Sequence, residues 1–116
     1  MHIRPVGYLI AITLTFVLAS CVGTPHNAPE EVGAAEVSFY KLGMDTGCRD
    51  AGRNRGDSVE KIDAFCGCVA RTLESRMSEA EWKQATFFAQ QRRDADEQRV
   101  LGPHMRSLGE CRSIAQ

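Results

Sequence analysis

The chain has 116 residues, 43% hydrophobic and 25% charged, with 14 Lys+Arg against 15 Asp+Glu. That length admits one small domain beside any targeting segment. The near balance of charge, with no basic block, excludes the electrostatic footprint of a nucleic-acid binder. Five cysteines in so short a chain make its redox compartment the first question to answer.

The N-terminus answers it. Met1–Arg4 carries one firm positive charge, Val6–Leu18 is a predominantly apolar run of signal-peptide length, and Ala19-Ser20 are the small residues before Cys21. A membrane-spanning helix competes with this reading, because no Asp, Glu, Lys or Arg occurs between Pro5 and Pro29. The apolar run is shorter than the roughly 20 residues a span needs, and no basic flank follows it. Simple secretion with cleavage after Ser20 is the third possibility, but it leaves Cys21 as an odd thiol. The tetrad Leu18-Ala19-Ser20-Cys21 resembles the lipobox of bacterial lipoproteins. That resemblance implies removal of residues 1–20 and acylation of Cys21. Two or more chains form a stable anchor where one is marginal, at about 0.8 kcal/mol per buried methylene. Val22 stands where an aspartate would signal retention at the inner membrane, so the resemblance points to the periplasmic face of the outer membrane.

Residues 21–36 read as a lipidated N-terminus and flexible linker, rich in Pro, Gly and small side chains. From residue 37 to 116 the periodicity is helical and no stretch alternates as a half-buried strand would. Val37, Tyr40, Met44, Cys48 and Ala51 form one stripe of a first helix, ended by Gly52–Gly56. Asp57, with Glu60 three residues on, predicts the start of a second helix, whose stripe is Ile62, Phe65, Cys66, Val69 and Leu73. Ser78 with Glu81 opens a third helix through Trp82, Ala85, Phe88 and Ala89. Asp94-Ala95-Asp96-Glu97 opens the last segment, which either kinks or restarts at Pro103. The prediction is an all-α domain, a small four-helix bundle with short connections.

Assigning Cys21 to the anchor leaves Cys48, Cys66, Cys68 and Cys111, an even set that predicts two disulfides in an oxidising compartment. Cys66 and Cys68 project about 200° apart on one helix, so each staples it to a different neighbour. A hairpin turning near residues 53–57 favours Cys48–Cys66 with Cys68–Cys111. The crossed pairing, Cys48–Cys68 with Cys66–Cys111, stays open. The rival reading makes Cys66-Gly67-Cys68 a redox pair, or a copper or zinc site with Cys111, His104 and the thioethers of Met44 or Met105.

No other constellation suggests catalysis. Of three histidines, His2 lies in the leader, His26 in the linker and His104 in the fold, where a surface or capping place is expected. The acidic clusters sit at predicted helix starts, where the macrodipole accounts for them, and Gln90-Gln91-Arg92-Arg93 reads as a solvated face. Helical spacing turns Trp82 toward the core and leaves Phe87 outside, making Phe87 beside Trp82 the candidate partner-binding patch.

Over residues 45–112, Cys48…Phe65-Cys66-Gly67-Cys68-Val69-Ala70…Ser78…Cys111 is similar to small helical four-cysteine exported proteins of proteobacteria. The joint expectation is a non-enzymatic protein without cofactor, lipid-anchored, that binds another envelope protein. It would act as an assembly or secretion accessory factor resembling helical pilotins. An inhibitor or immunity protein against a toxin or hydrolase is the alternative, with a metal binder third.

Overall fold

Local signals place most helix boundaries. In the computed structural model, which describes residues 25–115, the order is a 3-10 turn Pro29–Glu31, α1 Ala34–Arg55, α2 Val59–Arg76, α3 Glu79–Gln90, α4 Asp94–Met105, a 3-10 turn Arg106–Leu108 and α5 Gly109–Ala115. Residues 1–24, on which the predicted signal peptide and the predicted lipidation site Cys21 fall, lie outside the described residues. Ser78 caps α3 in both directions: its Oγ accepts the Glu81 N–H at 3.1 Å, and Glu81 accepts the Ser78 N–H at 3.3 Å. At α2 the cap is Ser58, not the expected Asp57; Ser58 Oγ accepts the Lys61 N–H at 3.2 Å. Asp57 instead pairs with Arg55 at 3.0 Å and Lys61 at 3.6 Å.

Gly52 does not end the first helix. It lies inside α1 and is buried where α2 crosses; an added Cβ would stand 2.7 Å from Ile62 Cγ1. The stop is Gly56, at φ 80°, where glycine reaches the left-handed region without steric cost. The Asp57 N–H then closes the end on the Gly52 carbonyl at 3.0 Å. Gln90-Gln91-Arg92-Arg93 is exposed, as expected, and makes the α3–α4 turn. Arg92 takes the left-handed position at φ 55°, and the Arg93 N–H reaches the Phe88 carbonyl at 2.9 Å. Pro103 neither stops nor starts a helix. α4 runs through it and gives way to the 3-10 turn three residues later, so α4 to α5 is one interrupted fourth segment.

Four helical segments pack as a bundle around Leu73, Met77, Trp82 and Ala85, with Val37, Tyr40, Met44, Val69, Val100, Leu101 and Leu108 packed against them. Cys48–Cys66 joins α1 to α2 across a Cα separation of 6.0 Å, and Cys68–Cys111 joins α2 to α5 across 5.7 Å. The opposed projection of the two cysteines therefore makes α2 the shared partner of α1 and α5. Ala51, expected in the α1 stripe, is exposed; Gly52 takes its place against α2.

The predicted linker needs the largest correction. Helix α1 begins at Ala34, and residues 25–33 form a strap whose 3-10 turn packs on α3. Val32 is 1% exposed. A flexible reading rested on Pro and Gly content, yet Pro29 opens the 3-10 turn and Val32 supplies an apolar side chain for burial.

Candidate functional site

Phe87, expected outside, is only 5% exposed, and Trp82 only 6%. Trp82 belongs to the bundle core, and the strap packs along another side of α3. Pro29 and Glu30 share a surface hollow with Ala80, Lys83 and Gln84 of α3, and Phe87 lies one turn beyond Lys83 on that side. Helix α3 is thus covered on two sides, by the bundle and by the strap, and the predicted Phe87–Trp82 patch is interior. Phe88, placed toward the core, is half-buried and packs edge-to-face on Phe87, centroids 5.5 Å apart, under the Arg93 guanidinium at 4.8 Å.

Large apolar side chains face solvent singly at Val59 of α2, Met105 of α4 and Ile114 of α5, and as a neighbouring pair on α1. Phe39 is 78% exposed and Leu42 60%. Three residues apart on a helix, they are surface neighbours. Phe39 also edges a shallow hollow between α1 and α3, floored by Gly43, Met44, Thr86 and Ala89. The sequence contained a signal for this face: Phe39 and Leu42 fall outside the Val37–Tyr40–Met44 stripe, so a one-sided helix had to turn them out.

A second feature is a cleft of about 340 Å³ between α1 and α2. Met44, Val69, Leu73, Trp82 and the Cys48–Cys66 disulfide form its walls, and Lys41, Asp45, Arg71 and Glu74 its rim. Lys41 Nζ lies 4.5 Å above the Trp82 ring and 2.8 Å from Glu74. The Trp82 indole N–H is buried and has no hydrogen-bond partner among the described residues. Across the ring, Tyr40 stands edge-on at 6.3 Å and donates its hydroxyl to Glu97 of α4. Burial, then the Glu97 carboxylate, push the Tyr40 phenol well above its ordinary range.

Both histidines of the described chain meet helix-capping glutamates. His26 lies 2.7 Å from Glu36, which also accepts the Gly33 N–H at 2.7 Å and Gln90 Nε2 at 3.1 Å. One carboxylate thereby ties the strap, α1 and the end of α3. His104, neither free surface nor cap, is half-buried and hydrogen-bonded to Glu81 in the first turn of α3. Glu36 is held below the usual carboxylate range first by the Gly33 N–H and then by His26. Glu81 is lowered first by His104, with Ser78 assisting.

These placements dispose of the thiolate readings. Cys66, Cys68 and Cys111 are all consumed in disulfides to separate partners, so none is available as a metal ligand or nucleophilic thiolate. Among the described residues, no helix is long and apolar enough to cross a membrane. What the fold defines is a disulfide-stapled four-helix bundle. No protein-family model, curated protein or solved structure matches the chain.

Proposed function

We propose that this is a lipid-anchored, periplasm-facing protein that works by binding another envelope protein, as an assembly or secretion accessory factor, with the Phe39–Leu42 face of α1 as its docking surface. The observation that carries the docking half is the solvent exposure of that pair, 78% and 60%, beside a shallow apolar hollow. Aromatic anchors that enter a partner's pocket supply most of the energy of protein interfaces. The anchoring half rests on the lipobox resemblance at Cys21. With the strap packed on α3, only residues 22–24 separate Cys21 from the described fold, a reach of about 14 Å at full extension. The bundle would then work close to the lipid surface rather than at the end of a long tether.

A photo-crosslinking residue placed at Phe39 or Leu42 in cells should yield a discrete adduct that one at exposed Arg76 of α2 does not. Equal adducts from all three positions, or none from α1, would remove the support for this surface. Blocking the lipoprotein signal peptidase should make the precursor accumulate; a Cys21→Ser chain that matures normally and stays membrane-bound would refute the anchor. The exposed Phe39 also suits a second reading, an inhibitor or immunity protein that inserts this ring into a toxin or hydrolase. The two part on the identity of the crosslinked protein. A copper or zinc binder has lost its thiolate ligands to the disulfides.

A further inference from the structure

The α1–α2 cleft carries an inference that does not depend on the α1 docking face. Its walls are apolar, and its size, about 340 Å³, is at the small-ligand end of the binding-pocket range. Three of the four charges on its rim are already engaged. Lys41 is held by Glu74 at 2.8 Å and Asp45 by Arg49 at 2.8 Å. Arg71 forms no ion pair among the described residues, and its exposed guanidinium folds back along α2 over Gly67. A Cβ at Gly67 would meet Arg71 Nη1 at 3.1 Å, so the glycine leaves room for that posture. The mouth of an apolar cleft thus has one uncompensated positive charge, on a planar fork shaped for a carboxylate.

We propose that this cleft binds a single-chain amphiphilic carboxylate, a medium-chain fatty acid. The alkyl tail lies against Met44, Val69, Leu73 and Trp82, and the carboxylate accepts hydrogen bonds from Arg71. Charge complementarity selects the head group: a cationic amphiphile with the same tail meets Arg71 with like charge. An amphipathic helix, the other occupant of apolar grooves, is an outcome the test separates.

The chain has a single tryptophan, and it forms a wall of the cleft, so its emission reports occupancy directly. The full chain in phosphatidylcholine nanodiscs is titrated with decanoate brominated at its tail end, and separately with the trimethylammonium analogue. The carboxylate should quench Trp82 saturably, and the cation should be at least about tenfold weaker. Arg71→Gln should weaken the carboxylate about tenfold, the scale of one charge-assisted hydrogen bond, and Arg71→Glu should reverse the preference. Ala70 is exposed on the cleft wall, so Ala70→Leu and Ala70→Phe block the site in graded steps without touching the core. Quenching should fall in that order, with circular dichroism unchanged. No saturable quenching, equal response to both head groups, or quenching that survives Ala70→Phe would overturn the proposal. So would a cleft that rejects decanoate but is protected by an apolar helical peptide.

Discussion

Replacing Gly52 by alanine should destabilise the protein, although alanine is the better helix former by about 1 kcal/mol. Gly52 sits within α1 where α2 crosses, and the added methyl would stand 2.7 Å from Ile62 Cγ1 and 3.2 Å from Cδ1. Cγ1 is not the free end of a flexible chain, and Ile62 is itself buried, so the helices or the isoleucine rotamer must shift. Overpacking of this kind costs about 1–3 kcal/mol. Set against the helix-propensity gain, the net loss is up to about 2 kcal/mol, with each kcal/mol lowering Tm by about 4–8 °C for a domain of this size. The same substitution at Gly47, on the same helix, meets nothing within 4 Å and should stabilise by about 0.5–1 kcal/mol. Two chemically identical changes on one helix therefore carry opposite signs.

Urea unfolding under non-reducing conditions, followed by Trp82 fluorescence, measures both. A double-mutant cycle identifies the cause. Ile62→Ala alone should cost about 2–5 kcal/mol, and less in the Gly52→Ala background, with a coupling of at least about 0.5 kcal/mol. If Gly52→Ala proved as stabilising as Gly47→Ala, or if the cycle closed without coupling, the close approach of α1 and α2 at this point would be refuted.

The remaining predictions follow from the staples, the acid groups and the strap. Replacing Cys68 and Cys111 together by serine should cost about 4 kcal/mol, and Cys48 with Cys66 about 3 kcal/mol, because their loops span 43 and 18 residues. Equilibrium unfolding of the two double variants checks the order, and a larger loss from the shorter loop would contradict it. Glu36 and Glu81 hold their protons less tightly folded than unfolded, so their contribution to stability is complete above the usual carboxylate range. It is lost as pH falls through their lowered folded values. Thermal melts from pH 6 to pH 3 should show this decline, and Glu81→Gln should flatten it; an unchanged slope in that variant rules out its role. Phe87→Ala should cost about 3 kcal/mol or more, the scale of a buried phenylalanine, and should raise amide exchange at residues 30–33 before it does so in α2. A surface-like effect below about 0.5 kcal/mol would mean that the strap does not cover this ring.

The legible parts of the fold are those whose causes are local. Ser78 and Glu81 lie three residues apart and satisfy each other's N–H groups, so the start of α3 is written within four residues. The disulfide pairing is legible for a related reason: a helix separates Cys66 from Cys68 by geometry alone, and a short hairpin then brings Cys48 to the nearer one. Gly52 is harder, because a glycine late in a helical pattern signals a stop or a close approach equally well. Only Ile62, ten residues away on another helix, decides between them.

The strap shows where sequence reasoning of this kind runs out, and why the proposed docking surface is not on α3. Residues 25–33 have the composition of a linker, and composition describes what a segment does when nothing receives it. Here Val32 is buried, the 3-10 turn at Pro29 packs on α3, and His26 pairs with Glu36 of α1. Once that cover is counted, α3 needs two apolar sides, and Phe87 beside Phe88 becomes a structural necessity rather than a surplus aromatic. The exposed apolar side chains that adjoin as a pair lie instead on α1, where Phe39 and Leu42 have no covering segment among the described residues, whereas Val59, Met105 and Ile114 are exposed singly on other helices. A helix that buries one stripe and still presents a phenylalanine and a leucine on its other side sacrifices solubility for no gain in monomer stability. That imbalance is the physical reason for placing the proposed docking surface on α1 rather than on α3.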